Sequence, residues 1–270
     1  MSAPESRLVV MNCGEGIWDG GCNSATRNES IFGKLAIAHR TSHKSQAHTE
    51  NDFGLPPLPV KPVWLNQTRL DNIRECNDSR RYKFSFVGRT RIPFPEFHKY
   101  LKPLHGRNGI YAKFQHDHYE QNKTFFNAWG GKVVNAVPKE KQDNDIYYAL
   151  LKDSIFAGVP RGDNLYSVRF AEVLSAAAIP VIYADGWVLP YTRDVVDWSN
   201  FTVMLPQRNM NQTFEILDAI PAWQRCKMQQ QVLWNYHEYV ADSKARLRGI
   251  LKVLDSRLEA RQPTHFAPGD

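Results

Sequence analysis

The chain has 270 residues, a net charge of +6, and 42% hydrophobic and 23% charged residues, which suits a globular protein of one large or two small domains. Global disorder, collagen and coiled coil are excluded, and no apolar run approaches the ~18 residues that a membrane-spanning helix needs. The mild basic excess fits an anionic small ligand as well as nucleic acid, but the charges are interspersed and form no basic stripe, which argues against nucleic acid.

Taken in order, Leu8–Met11 is a short apolar run with strand character, and Lys34–Ala38 is a second. His39–Phe53 is polar and His-rich. Leu55–Trp64 holds Pro56, Pro57, Pro59 and Pro62 and reads as an extended linker. Residues 65–80 are polar and charged. Tyr82–Val87 alternates around aromatics and ends at Gly88, as a buried strand meeting a turn does. Pro95–Leu104 suits a short helix, Gly109–Phe114 a strand, Asp143–Leu151 a helix and Asp153–Ala157 a strand. Residues 158–166 (GVPRGDNLY) have loop chemistry. Ser167 to about Ala178 reads as a helix, with Phe170, Val173, Leu174 and Ala177 on one face. Ile179–Ala184 is a β-branched strand run closed by Asp185-Gly186, and Phe201–Leu205 is a further strand. From Asp218 the chain is helical, with Asp218 ahead of Pro221 suiting a first turn and an apolar stripe at Met228, Val232, Leu233 and Tyr236. A last helix is expected over 242–260.

The four cysteines, Cys13, Cys22, Cys76 and Cys226, include no C-x-x-C pair and have no His at metal spacing, which argues against zinc. Cys13 and Cys22 suit a short disulfide loop, or the cysteines are free buried thiols. The opening MSAPESRLVV has no apolar signal core. Six Asn-x-Ser/Thr acceptors nevertheless occur, at Asn28, Asn66, Asn77, Asn122, Asn200 and Asn211, and these are usable only in a lumenal or extracellular chain. Together these observations suggest a chain whose amino-terminal part is missing.

Alternating strands and helices imply α/β architecture with a parallel sheet, whose ligands bind beyond the carboxyl ends of the strands. That rim carries residues 88–92, 158–166 and 185–190. Arg161 offers a forked cation, and Ser167 opens a helix suited either to phosphate or to a plain capped turn. Arg169 and Glu172 at i and i+3 form either a surface ion pair or a phosphate ligand with a ribose-diol acceptor. Asp185 and Trp187 end a strand, either as a tight turn with a packed Trp or as a sugar-facing wall. Arg89 and Arg91 follow the first strand of this group, as phosphate ligands or as a solvated basic turn. There is no Walker A loop, no G-x-G-x-x-G and no G-x-S-x-G. His116 and His118 lack a third metal ligand.

The ordered string PRGDNLYSVRFAEVLSAAAIPVIYADGWVLPYTRDVVDW at 160–198 resembles the signature of the exostosin-like glycosyltransferases, family 47. RYKFSFVGRTR at 81–91 and GKLAIAHRTSHKSQAHTENDFGLPPLP at 33–59 resemble, more weakly, the family's first donor-lobe strand and its acceptor-side junction. The family's strand before Pro-Arg-Gly often has a Cys, where this chain reads SIFAGV. The resemblance implies a GT-B fold: a remnant of the acceptor lobe and linker over 1–65, a Rossmann-like donor lobe over 66–240, and a C-terminal helix and tail over 241–270 that crosses back. It implies inverting transfer from a UDP-sugar to a glycan or glycoprotein, with no cofactor and no metal. Arg89, Arg91, Arg161, Ser167 and Arg169 would then face the diphosphate, Glu172 the ribose, and Asp185 with Trp187 the sugar. The catalytic base is open among His39, His43 and Asp52. Family membership also implies a Golgi or endoplasmic reticulum enzyme, type II in its full-length form with the anchor absent here, and a hetero- or homodimer among its assemblies. The alternative is a non-catalytic nucleotide-sugar-binding or assembly subunit with a truncated acceptor lobe.

Overall fold

The computed structural model describes residues 9–11, 36–39, 53–57, 62–89, 95–115, 139–161, 165–192 and 194–259. Five parallel strands form the main sheet: β4 (Tyr82–Arg89), β5 (Ile110–Gln115), β6 (Ser154–Pro160), β7 (Ile179–Tyr183) and β8 (Val203–Met204). Their spatial order is β5-β4-β6-β7-β8, every pair parallel. The chain steps outward from β4 to β5 and returns on β4's other side as β6. The order of winding therefore reverses between β4 and β6, the point at which open parallel sheets form their ligand crevice. A smaller parallel sheet is built from β1 (Val9–Met11), β2 (Ala36–His39) and β3 (Phe53–Gly54).

The strands read as apolar runs because both sheet faces are covered. Every residue of β7 is buried, and only Ile155 of β6 is not. Phe84 of β4 lies beside Phe156 of β6, which lies beside Ile179 of β7. Gly158 leaves room for this aromatic layer, since a Cβ there would come within 2.9 Å of the Phe84 ring.

The helices are α1 (Gln67–Arg74), α2 (Pro95–Leu101), α3 (Lys139–Lys152), α4 (Arg169–Ser175), α5 (Thr213–Ala219), α6 (Ala222–Asn235) and α7 (Ser243–Glu259). Helix α1 was not legible in the polar stretch 65–80. It starts because the Asn66 side chain accepts the Arg69 N–H at 2.9 Å. Helix α4 is shorter than its apolar spacing suggests: Ala177, at φ 51, turns the chain into β7, yet is fully buried. Strand β6 runs three residues past Ala157, because Gly158, Val159 and Pro160 pair with Val181, Ile182 and Tyr183. Asp218 lies in the last turn of α5, not the first of α6, and Pro221 caps α6.

The proline-rich stretch packs where it is described. Leu55 and Val63 are buried in the same core as the main sheet, and the Val63 N–H donates to Ser175 Oγ at 2.8 Å. Cys76, just past α1, is disulfide-bonded to Cys226 on α6 across 150 residues. Cys13 and Cys22, read as a short disulfide loop or as free thiols, lie outside the described residues. Helix α7 returns to the amino-terminal side. Arg257 makes a two-bond ion pair with Asp194, 2.8 Å each, and its guanidinium sits 5.3 Å from the Phe53 ring centroid.

Candidate functional site at the strand switch

The crevice between β4 and β6 is bordered by the end of β4, the residue after β6 and the start of α4. Arg161 follows β6, and its N–H donates to the Tyr183 carbonyl at 3.0 Å, which extends the sheet by one bond. Ser167 Oγ accepts the Arg169 N–H at 3.3 Å, and the Ser167 carbonyl accepts the Phe170 N–H at 3.0 Å. The cap residue of α4 is Val168, so Ser167 stands one residue before the cap, and its O–H is left to donate.

Arg169 has the most distinctive setting. Its guanidinium carbon lies 4.7 Å from the centroid of Phe86 on β4 and 5.0 Å from that of Tyr147 on α3. Two ring faces hold the cation by quadrupole attraction and fix its plane. Gly88 makes room for it, as a Cβ there would lie 3.2 Å from Arg169 Nη2. Among the described residues no carboxylate pairs with Arg169. The i, i+3 pair with Glu172 does not form.

Glu172 is engaged elsewhere. It is 6% exposed, and its Oε2 accepts from Tyr147 Oη at 2.8 Å and its Oε1 from Tyr148 Oη at 3.4 Å. Burial, then the adjacent carboxylate, pushes the Tyr148 hydroxyl up to about 12, against a smaller lowering by Arg169. The same causes raise Tyr147. Both phenols therefore stay protonated and act as donors to Glu172. Sequence reasoning passed over Phe86, Tyr147 and Tyr148. Their signal was aromatic residues in the strand and helix that flank the crevice.

At the end of β7, Asp185 is exposed and its Oδ1 accepts the Gln207 N–H at 2.9 Å. Trp187, read as a sugar wall or a packed Trp, is 5% exposed and packs against Phe170, with the rings near-perpendicular and their centroids 5.2 Å apart. Trp198 braces the same cluster, lying 5.0 Å from Phe170, with its Nε1 donating to the Pro190 carbonyl at 2.6 Å.

The smaller sheet reaches this rim through its backbone. His39 at the end of β2 is in register with Gly54, Gly54 bridges to Pro190, and the Tyr191 N–H donates to the Gly54 carbonyl at 3.0 Å. Only glycine permits this approach, since a Cβ on Gly54 would lie 2.7 Å from the Leu189 carbonyl oxygen. Strand β3 therefore lies beside the loop that follows β7, and the strand ending at His39 is one strand further out. Arg89 closes β4 in register with Gln115. Its side chain, and Arg91, His43, Asp52, His116 and His118, lie outside the described residues. Among the described residues, no three His, Cys, Asp or Glu side chains are grouped to hold a metal ion, and no helix is long and apolar enough to cross a membrane.

The family model for the Exostosin GT47 domain matches residues 10–220. The chain belongs to the exostosin family. Bovine Exostosin-2 is 34% identical over 112 residues, 42% of this chain and 16% of that protein. The Exostosin-1 homolog of Caenorhabditis elegans is 30% identical over 246 residues, 84% of this chain and 60% of that one. The chain thus spans less than two thirds of each of these exostosins. Among solved structures it is similar to the GtfA/B complex, at 9% identity and a TM-score of 0.47, covering 93% of this chain and 53% of that one. The exostosin match takes in the whole crevice, from β4 through Asp185.

Proposed function

We propose that the chain transfers a sugar from a UDP-sugar to a glycan acceptor with inversion at the anomeric carbon. The observation that carries this reading is Arg169, a cation oriented by two aromatic rings at the strand switch and paired with no carboxylate among the described residues. Such a group suits a diphosphate, which needs planar, charge-assisted donors. Arg161 and the Ser167 hydroxyl stand on the same rim, with Arg89 at the end of β4 and Arg91 two residues on in sequence. Glu172 keeps the lone pairs that Tyr147 and Tyr148 leave, and with them accepts the ribose hydroxyls.

In the reaction the acceptor hydroxyl attacks the anomeric carbon opposite the diphosphate and gives its proton to a base. The bond from that carbon to the phosphate oxygen breaks, and UDP leaves against the arginines. These cations do the work that a metal ion does in other enzymes, so no metal is required. The base comes from His39, His43 or Asp52, all three in the smaller amino-terminal part of the chain. The Cys76–Cys226 disulfide favours an oxidising compartment, in keeping with a Golgi or endoplasmic reticulum enzyme.

Calorimetric titration with UDP tests the reading. Heat is expected with the folded chain and none with Arg169→Ala. A folded chain that gives no heat with UDP refutes it.

A further inference from the structure

The segment leading into α1 alternates. Val63 is 5% exposed and tied to Ser175, and Leu65 packs on the core. Between and beyond them, Trp64 is 78% exposed and Asn66 is exposed. Asn66 is itself extended, at φ −75 and ψ 165. In extended chain, side chains two apart lie on one face, roughly 6.6 Å from each other. Trp64 and Asn66 therefore share the outward face of the segment, and Trp64 has the largest exposure among the exposed large apolar side chains of the described residues.

Asn66 opens the acceptor triplet Asn-Gln-Thr. Its Oδ1 is committed to the Arg69 N–H, which fixes the amide, while Nδ2 has no partner among the described residues. Thr68 is exposed, and its hydroxyl is bonded to nothing among the described residues. The contrast with two other triplets is informative. Thr202 is buried with its hydroxyl donating to the Trp198 carbonyl at 2.8 Å, and Thr213 is buried with its hydroxyl donating to the Met210 carbonyl at 2.6 Å. Those threonines are accounted for by packing. At Asn66 the fold explains neither the Thr nor the bare indole.

We propose that Asn66 carries an N-linked glycan whose first sugar lays its apolar ring face on the Trp64 indole. The donor is an oligosaccharide on a polyprenyl diphosphate. Asn66 Nδ2 bonds to the anomeric carbon and loses one proton, and the lipid diphosphate leaves. A sugar ring has one face of C–H groups, which suits an exposed indole whose other surroundings are water. The inference rests on the lumenal compartment proposed above and not on the donor site.

The test uses the protein isolated from the cells that make it, with peptides mapped without reduction before and after peptide N-glycosidase treatment in heavy-oxygen water. The Asn66 peptide should appear only after treatment, as labelled Asp, and Trp64→Ala in the same cells should lower occupancy at Asn66. An unmodified Asn66 peptide from chains with an intact Cys76–Cys226 bond overturns the glycan but leaves the compartment standing. Free thiols at both cysteines overturn both. Unchanged occupancy in Trp64→Ala overturns the stacking. An unmodified Asn66 peptide with Trp64 protected from oxidation means that a protein covers the indole, and this also overturns the proposal.

Discussion

The Cys76–Cys226 bond closes a loop of 150 residues, which includes the whole main sheet. In the chain-entropy description, a closed loop of that length removes about 17 cal/mol/K from the unfolded chain, or about 5 kcal/mol at 25 °C. Two contacts remain when the bond is lost: Gln230 Nε2 donates to the carbonyls of Ile73 at 3.1 Å and Arg74 at 2.8 Å. These keep α1 beside α6 in the folded state but do nothing to restrict the unfolded one. Cys76→Ser is the cleaner variant, because Cys76 is exposed while Cys226 is buried and a serine there adds the cost of burying a hydroxyl. We expect Cys76→Ser to lose about 2–5 kcal/mol in guanidinium unfolding, and the double serine variant to lose no more than Cys226→Ser alone. Reductant should shift the wild type and leave the variants unmoved. A Cys76→Ser midpoint equal to the wild type under non-reducing conditions would refute the reasoning.

Two further substitutions probe the interior. Arg80 has a fully buried side chain, donates to Asp78 at 2.7 Å, and reaches the carbonyls of Ser154 at 2.8 Å and Ala176 at 3.1 Å. Arg80→Met should cost about 3–5 kcal/mol in the same unfolding assay, by leaving two buried carbonyls and Asp78 Oδ2 without a donor while Arg69 still holds Oδ1 at 2.6 Å. Tyr147→Phe keeps the ring against Arg169 but removes the 2.8 Å bond to Glu172. It should cost about 1.5–3 kcal/mol in stability. Calorimetry should show UDP binding weakened but not abolished, unlike Arg169→Ala, and an unchanged stability would mean that Tyr147 does not hold the carboxylate.

Much of the main sheet was legible because its information is local. The alternating run at 82–87 and the apolar run at 179–183 are strands of this sheet, the second buried throughout, and that environment leaves its mark within each run. The motif at 160–198 located the crevice, since a strand, a loop and a helix in succession place Arg161, Ser167 and Arg169 near one another whatever surrounds them. Helix α1 escaped notice because its polar residues carry little apolar period, and its start depends on one side-chain cap at Asn66.

What tertiary structure decided was which partner each group took. Arg169 and Glu172 are three residues apart and of opposite charge, yet they part company. Glu172 turns to Tyr147, 25 residues earlier in the chain, and the cation to Phe86 and Tyr147. Trp187 looked available to a sugar until Phe170 was placed against it. Cys76 found Cys226, 150 residues away in the chain. Each outcome depends on strands and helices meeting across long separations, where the energy of a contact is set by burial and geometry that no local spacing encodes. The sequence determined the strands and the string of groups on their rim, and packing determined which of those groups face the crevice and which hold it together.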